Sequence, residues 1–132
     1  MSAHRHASTE RGQAAAEFAI VAPILFLVVF GIMQLGYVFG KQLDIKSATA
    51  DGARRAAVSI NSADPRVIGR MTVEQQLTLT KAQNANITIT PAPPWEHGQT
   101  IRVTTSVPHA YHILGVSRWD GTLRAESEIR VE

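Results

Sequence analysis

The feature that most constrains this chain is a run of 23 residues without a charge, residues 18–40, which lies between Glu17 and Lys41. Valine, isoleucine, leucine and phenylalanine make up most of it. A helix rises 1.5 Å per residue, so this run would reach about 35 Å, whereas bilayer hydrocarbon is about 30 Å thick. A wholly soluble protein is therefore not expected, and residues 13–40 are predicted to form a transmembrane helix.

A removable signal peptide is the alternative explanation for a basic amino-terminal segment followed by an apolar one. The apolar region of a signal peptide spans about 7–15 residues, which is shorter than this run. The sequence continues GYVFGK at residues 36–41, without a small-x-small site and a polar mature start. We therefore expect the span to be retained.

Four residues inside the span favour packing against another helix: Pro23, Gly31, Gly36 and Gly40. Proline removes a helical hydrogen bond, and glycines at GxxxG spacing, as at positions 36 and 40, let helices approach closely in lipid. The alternative is that these residues reflect only the higher glycine and proline content of membrane helices.

The helical period continues beyond the span. One face of residues 41–60 is predicted to be buried, carrying Leu43, Ala50, Ala53, Ala57 and Ile60. We predict one helix from about Ala14 to Ser59, with residues 41–62 extending it out of the membrane. Asp64 and Pro65 then predict the start of a second helix, which should reach about Gln83.

The remainder of the chain alternates with a period of two residues, which predicts strands at residues 86–90, 100–107 and 122–131. The inward positions of the middle strand are predicted at Ile101, Val103, Thr105 and Val107. Turns are expected at residues 91–94 and 119–121. The predicted fold is α+β and pilin-like: a long membrane helix, then a small domain (residues 63–132) with a second helix and a three-stranded antiparallel sheet.

Composition and motifs argue against several functions. The net charge is only +2, and no basic cluster interleaved with aromatic residues indicates nucleic acid binding. The absence of cysteine excludes disulfides and thiolate chemistry. His109 and His112 have a possible metal-ligand spacing without a nearby carboxylate, and Trp95 follows a proline cluster as a loop anchor would. We expect no enzyme activity, no metal and no cofactor.

The most specific signal is RGQAAAEF at residues 11–18, a basic leader that ends in a glycine, followed by four uncharged residues before Glu17 and Phe18. It resembles the type III signal of type IV prepilins. In particular, the chain is similar to the TadE family of minor pseudopilins from the tight-adherence (Flp) pilus system. That likeness extends through Pro23, the spacing of Gly31 and Gly36, and ADGARR at residues 50–55; TadG-type relatives share the apolar start.

The resemblance implies that a membrane prepilin peptidase cuts after Gly12, which would make Gln13 the new amino terminus. Residues 1–12 would then be a cytoplasmic leader, and Glu17 with Phe18 would act in recognition and assembly. The implied partners are the prepilin peptidase, other pilins with their assembly machinery, and the lipid bilayer.

The position of Glu17 agrees with that role. An unpaired carboxylate at the edge of hydrocarbon costs several kcal/mol. The amine that cleavage creates at Gln13 could pair with Glu17 of an adjacent subunit. The alternative is that Glu17 only marks the water boundary of the span.

Two opposite orientations follow from charge and from resemblance. Arg5 and Arg11 precede the span, whereas four basic residues, Lys41, Lys46, Arg54 and Arg55, follow it. Counted alone, these charges would place the carboxyl-terminal domain in the cytoplasm. The amino terminus with His4 and His6 adds positive charge to the leader, and pilins keep their leader in the cytoplasm, so we predict the domain outside a cytoplasmic membrane.

Two functions remain open from the sequence. The first is a cleaved pseudopilin that helps to assemble or prime a pilus. The second is an uncleaved single-pass anchor that presents a small protein-binding domain outside the membrane.

Overall fold

The computed structural model describes residues 3–113 and 117–131, and within them the side chains of residues 12–111 and 119–131. The elements in chain order are helix α1 (Ala3–Val58), helix α2 (Pro65–Gln76), a 3-10 turn (Ala82–Asn84), and strands β1 (Asn86–Thr90), β2 (Thr100–Ile113) and β3 (Ser117–Arg130). The chain divides into two compact units, Met1–Gly36 and Tyr37–Glu132. The predicted α+β architecture with a long apolar helix, a second helix and a three-stranded sheet is confirmed.

The sheet has the order β1-β2-β3, and both strand pairs are antiparallel. The four predicted inward positions of β2 are all buried: Ile101, Val103, Thr105 and Val107. Ile87 on β1 and Leu123 with Ala125 on β3 are buried as well. One face of the sheet is therefore the core face, as the period of two residues predicts.

The helical surface that faces this core is a stripe of mostly small residues in the second half of α1. Its buried members are Ile45, Ala48, Thr49, Ala53, Ala56 and Ala57. The hydroxyl of Thr49 hydrogen-bonds to the Thr105 hydroxyl at 2.8 Å, which ties this stripe to the middle strand. The predicted burial of Ala53 and Ala57 is right, but Leu43 is 65% exposed and Ala50 is exposed. The core follows the row through Ile45, whose spacing puts Leu43 on another side of the helix.

A close crossing of α1 and α2 rests on two glycines, Gly52 and Gly69. A Cβ at position 52 would lie 2.8 Å from the Gly69 carbonyl oxygen and closer still to Val73 Cγ2. A Cβ at position 69 would lie 2.8 Å from Ala56 Cβ. Since real Cβ atoms essentially never come under 3.0 Å, both glycines are required for this approach.

Helix α2 begins as predicted and ends earlier than predicted. Asp64 caps it by accepting a hydrogen bond from the Arg66 N–H at 3.0 Å, and Pro65 occupies the first turn. After Gln76 the chain leaves the helix, because the carboxylate of Asp44 on α1 accepts the N–H groups of Thr78 and Leu79. These donors are thereby lost to further helical bonds.

Asp44 is thus a link between α1 and the segment that follows α2. Its carboxylate also accepts the Thr78 hydroxyl at 2.7 Å. Partial burial raises the pKa of Asp44, but the hydrogen bonds from Thr78, Leu79 and Thr80 outweigh burial and hold this pKa below its ordinary 3.8.

The second and third strands are longer than predicted. The turn expected at residues 119–121 is wrong, because Trp119 pairs with Tyr111 and Gly121 with His109 inside the β2–β3 ladder. A Cβ at position 121 would lie 2.7 Å from Tyr111 Cε2, so this glycine makes room for the neighbouring ring rather than for a turn. Pro108 pairs with Thr122 of β3 but lies beyond residues 102–106, which pair with β1, so on that side β2 is an edge where a missing N–H is tolerated.

The outer face of the sheet is charged. Arg102 lies 3.0 Å from Glu126 and hydrogen-bonds to Glu128, while Arg124 lies 3.5 Å from Glu126. The hydrogen bond to Glu128 and the charges of both glutamates raise the pKa of Arg102. Because these side chains are exposed, the network adds little to stability.

The loop between β1 and β2 is anchored by Trp95, as predicted. The indole is buried and its Nε1–H donates to the Pro91 carbonyl oxygen at 2.9 Å. Its apolar neighbours include Ala56 and Ala57 of α1.

Candidate functional site

The segment that carries the prepilin-like motif is helical. Gly12, Gln13, Glu17 and Phe18 all lie within α1 and all are exposed. The Gln13 side chain donates from Nε2 to Glu17 Oε1 at 3.1 Å, across one turn of helix. The structure thus joins these two side chains within one chain, whereas the predicted pair between the Gln13 amine and Glu17 of an adjacent subunit stays a prediction.

Gly12 itself has open surroundings. Among the described residues, a Cβ at this position would meet no atom within 4 Å other than those of its chain neighbours and the adjoining helix backbone. The described part of the chain therefore gives no packing reason for glycine at position 12, unlike positions 52 and 69. The same holds for Gly31 and Gly36, where an added methyl group would also meet nothing within 4 Å.

Gly40 differs from those three glycines. A Cβ there would lie 3.4 Å from Leu79 Cδ1, which is ordinary van der Waals contact. Pro23 lies inside α1 without ending it. The predicted role of Pro23 and the glycines in packing against another protein stays a prediction.

The apolar run leaves its side chains uncovered. Fifteen large apolar or aromatic side chains between Phe18 and Phe39 are exposed, and these two phenylalanines are 70% and 71% exposed. Burying one such side chain contributes about 1.5 kcal/mol of hydrophobic free energy. Leaving all of them in water therefore forgoes a stabilisation on the order of 20 kcal/mol. Domains are stable by only about 5–15 kcal/mol, so this surface requires lipid or protein around it.

One helix among the described residues, within Gly12–Val58, is long and apolar enough to cross a membrane. None of its most apolar window is buried inside the chain, which distinguishes it from the core helix of a soluble domain. For the described residues, the length, composition and exposure of this helix together indicate a single membrane span.

Residues 12–54 match the family model described as TadE-like protein. This match confirms the resemblance that the sequence motifs indicated. No match was found among curated proteins or among solved structures. The matched range runs from Gly12 through the apolar run to ADGAR, the first five residues of the ADGARR motif.

The structure gives a physical role to that last motif, which the sequence alone did not. Gly52 lies at the crossing with α2 and Ala53 is fully buried in the core, whereas Arg54 and Arg55 are exposed. By helix propensity alone, Gly52 would only weaken the helix. A small residue beside a row of buried alanines was the available signal for a close helix crossing.

The two histidines at metal-ligand spacing do not form a described site. His109 packs edge-on against Tyr111 with 4.7 Å between ring centroids. The side chain of His112 lies outside the described residues. Within the part of the chain that the structure describes, no group of three potential metal ligands comes together.

Proposed function

We propose that this protein is a minor pseudopilin of a tight-adherence pilus. In this proposal a prepilin peptidase cuts the chain after Gly12, and the carboxyl-terminal domain lies outside the cytoplasmic membrane. The processed chain then contributes to the assembly or priming of the pilus as a structural subunit rather than as an enzyme. The observation that carries the proposal is the TadE-like match over residues 12–54, which includes the helix with Glu17 at its apolar boundary.

The cleavage step is hydrolysis of the peptide bond between Gly12 and Gln13. Water supplies the hydroxyl of the new Gly12 carboxylate and the proton that the Gln13 nitrogen gains. The peptidase must first unwind α1 locally, and glycine lowers the helix-forming tendency at position 12 by about 1 kcal/mol relative to alanine. The open surroundings of Gly12 agree with access by another protein at this point.

The product of this step changes the surroundings of Glu17. Cleavage leaves a positive amine at Gln13 and a new helix end, whose first four N–H groups lack helical partners. Glu17, which already receives a hydrogen bond from the Gln13 side chain, then lies within about one turn of both positive features. Within a bundle of such helices, Glu17 of one subunit pairs with the amine of its neighbour and fixes their axial register.

Processing is tested by the variant Gly12→Leu, produced in cells with and without the prepilin peptidase. Leucine adds bulk at the scissile bond and strengthens the helix, so the chain should keep its leader. Gly31→Leu is the matched control, because position 31 is another helical glycine with no neighbour within 4 Å. Mass spectrometry of the membrane fraction should find a chain starting at Gln13 for the control and an uncut chain for Gly12→Leu.

The proposal fails if the parent chain starts at Met1 or Ser2 in peptidase-positive cells, a result that favours the uncleaved anchor. It also fails if Gly12→Leu is cut as efficiently as Gly31→Leu.

Orientation has its own test. A reporter that is active only outside the cytoplasm, fused after Glu132, should be active. Charge reversal of the leader by Arg5→Glu and Arg11→Glu should reduce that activity, since the positive charges hold the leader in the cytoplasm. Activity of a cytoplasm-only reporter at the same position would contradict both the orientation and the pseudopilin proposal.

A further inference from the structure

A pocket of about 320 Å³ lies in the unit Tyr37–Glu132, beside the end of the uncharged run. Helix α1 contributes Tyr37 and Lys41, the first charged residue after the run, and the segment after α2 contributes further lining residues. The pocket lining includes Tyr37, Lys41, Leu79, Thr80, Lys81 and Asn84.

The pocket is positively charged. The Lys41 ammonium lies 4.6 Å from the centre of the Tyr37 ring, and Lys81 also lines the pocket. Among the described residues, neither lysine forms an ion pair with a carboxylate. Asp44, the acidic residue one turn after Lys41, is hydrogen-bonded to Thr78 and Leu79. The pocket therefore favours an anionic ligand.

A buried hydroxyl is the second and independent observation. Thr80 is only 8% exposed, and its Oγ1 is buried without a hydrogen-bond partner among the described residues. Buried polar groups nearly always have partners, and Thr80 is one of the residues that line the pocket, so a small shift of its side chain would let a ligand in the pocket supply the missing partner. A phosphate oxygen accepts a hydrogen bond from such a hydroxyl and binds lysine ammonium groups.

The position of the pocket along α1 indicates that the phosphate belongs to a membrane lipid. Lys41 is the first charge after 23 uncharged residues, so it lies at the depth of the lipid headgroups. Leu79, at the pocket wall, is exposed and packs beside Gly40 at the end of the run. A lysine pair next to exposed apolar side chains matches a phosphodiester with acyl chains below it.

We propose that this pocket binds the phosphodiester headgroup of an anionic phospholipid. Lys41 and Lys81 hold the phosphate, the Thr80 hydroxyl donates to one of its oxygens, and Leu79 contacts the glycerol and upper acyl region. The proposal rests on the membrane-spanning helix and not on cleavage or orientation. It would fix the small domain against the surface of the bilayer.

The test measures thermal unfolding of the full chain in a nonionic detergent, titrated with phosphatidylglycerol. The lipid should raise the melting temperature saturably, by roughly 10 °C at a hundredfold excess over its Kd. Phosphatidylcholine is zwitterionic: its quaternary ammonium compensates the phosphodiester charge and is itself repelled by the lysines, so this lipid should give a much smaller rise. Inorganic phosphate, which has no acyl chains, should likewise give little. Equal responses to phosphatidylglycerol and phosphatidylcholine would overturn the proposal, and so would an equal response to inorganic phosphate.

Variants separate this pocket from general charge attraction. The double variant Lys41→Gln/Lys81→Gln should lose most of the response to phosphatidylglycerol. Lys46→Gln, which removes an exposed charge of the same helix outside the pocket, should keep it. Equal loss in both would show only nonspecific attraction to a charged surface and would overturn the proposal.

Thr80→Val is the most specific test, because it should lower the affinity for the lipid without lowering the stability of the lipid-free protein. Removing an unpartnered buried hydroxyl should leave the lipid-free melting temperature unchanged or higher. Affinity for phosphatidylglycerol should fall roughly tenfold, the effect of one hydrogen bond to a charged group. Unchanged affinity would refute the role of Thr80. The Gly12→Leu chain should bind the lipid as the parent does, so failure of the pseudopilin proposal is distinguishable from failure of this one.

Discussion

The crossing of α1 and α2 predicts a large effect from the smallest possible substitution, Gly52→Ala. The new methyl group would lie 2.8 Å from the Gly69 carbonyl oxygen and closer still to Val73 Cγ2. Backbone cannot move aside as the end of a flexible side chain can, so the two helices must separate. Overpacking of this kind costs about 1–3 kcal/mol, and two simultaneous clashes favour the upper end of that range.

An opposing contribution has to be subtracted. Alanine stabilises a helix interior by about 1 kcal/mol relative to glycine. The expected net loss is therefore about 2 kcal/mol, which for a unit of this size lowers the melting temperature by roughly 10 °C. The sign of the change in melting temperature thus shows whether the loss of close packing or the gain in helix propensity is larger.

The assay is thermal unfolding of the full chain in detergent, followed by Trp95 fluorescence in a Trp119→Phe background. Trp95 is buried in the cluster that contains Ala56, one turn from the substitution, whereas Trp119 is 73% exposed and would add a constant background. Gly40→Ala is the matched control in the same helix, since its Cβ would be 3.4 Å from Leu79 Cδ1. A melting temperature for Gly52→Ala equal to or above that of the parent would refute the close crossing.

Two further outcomes test the core and its polar link. Ile101→Asp should unfold the sheet, because it places an unpaired carboxylate in the core. Thr100→Asp, at the exposed neighbouring position, should not unfold it. Equal protease resistance of the two variants would contradict the assigned inward face. The lowered pKa of Asp44 means that its ionised form stabilises the fold at pH values above its unfolded-state pKa, and that this stabilisation is lost as the pH falls through the folded pKa. The difference in melting temperature between the parent and Asp44→Asn should therefore be constant near neutral pH and shrink below about pH 4. A difference that does not change in acid would contradict the hydrogen-bonded link between Asp44 and the segment after α2.

The glycines of this chain fall into two groups with different physical meanings. Gly52 and Gly69 are required by the fold itself, because a methyl group at either position would overlap its neighbours. Gly12, Gly31 and Gly36 have open surroundings, so beyond a gain in helix propensity their substitution should matter only where another protein approaches. Unfolding in detergent compared with assembly in cells would therefore separate the two groups.

The sequence alone predicted an apolar helix long enough to span a membrane, because a 23-residue uncharged run leaves few places for so much apolar surface. It determined the inward face of the middle strand for a similar reason, since a period of two residues allows only two assignments and burial selects one. It also indicated the TadE-like resemblance and the start of α2 at Asp64, which depend on short local motifs.

Tertiary structure decided what depends on residues far apart in the chain. The end of α2 is set by Asp44, which lies 34 and 35 positions before the two N–H groups that it captures. Gly121 lies in a strand rather than a turn because the Tyr111 ring occupies the space beside it, and the buried face of α1 follows Ile45 because the sheet packs there. A local sequence pattern limits the structures that a segment can adopt. Long-range contacts then select one of those structures, and such contacts cannot be predicted from one segment at a time.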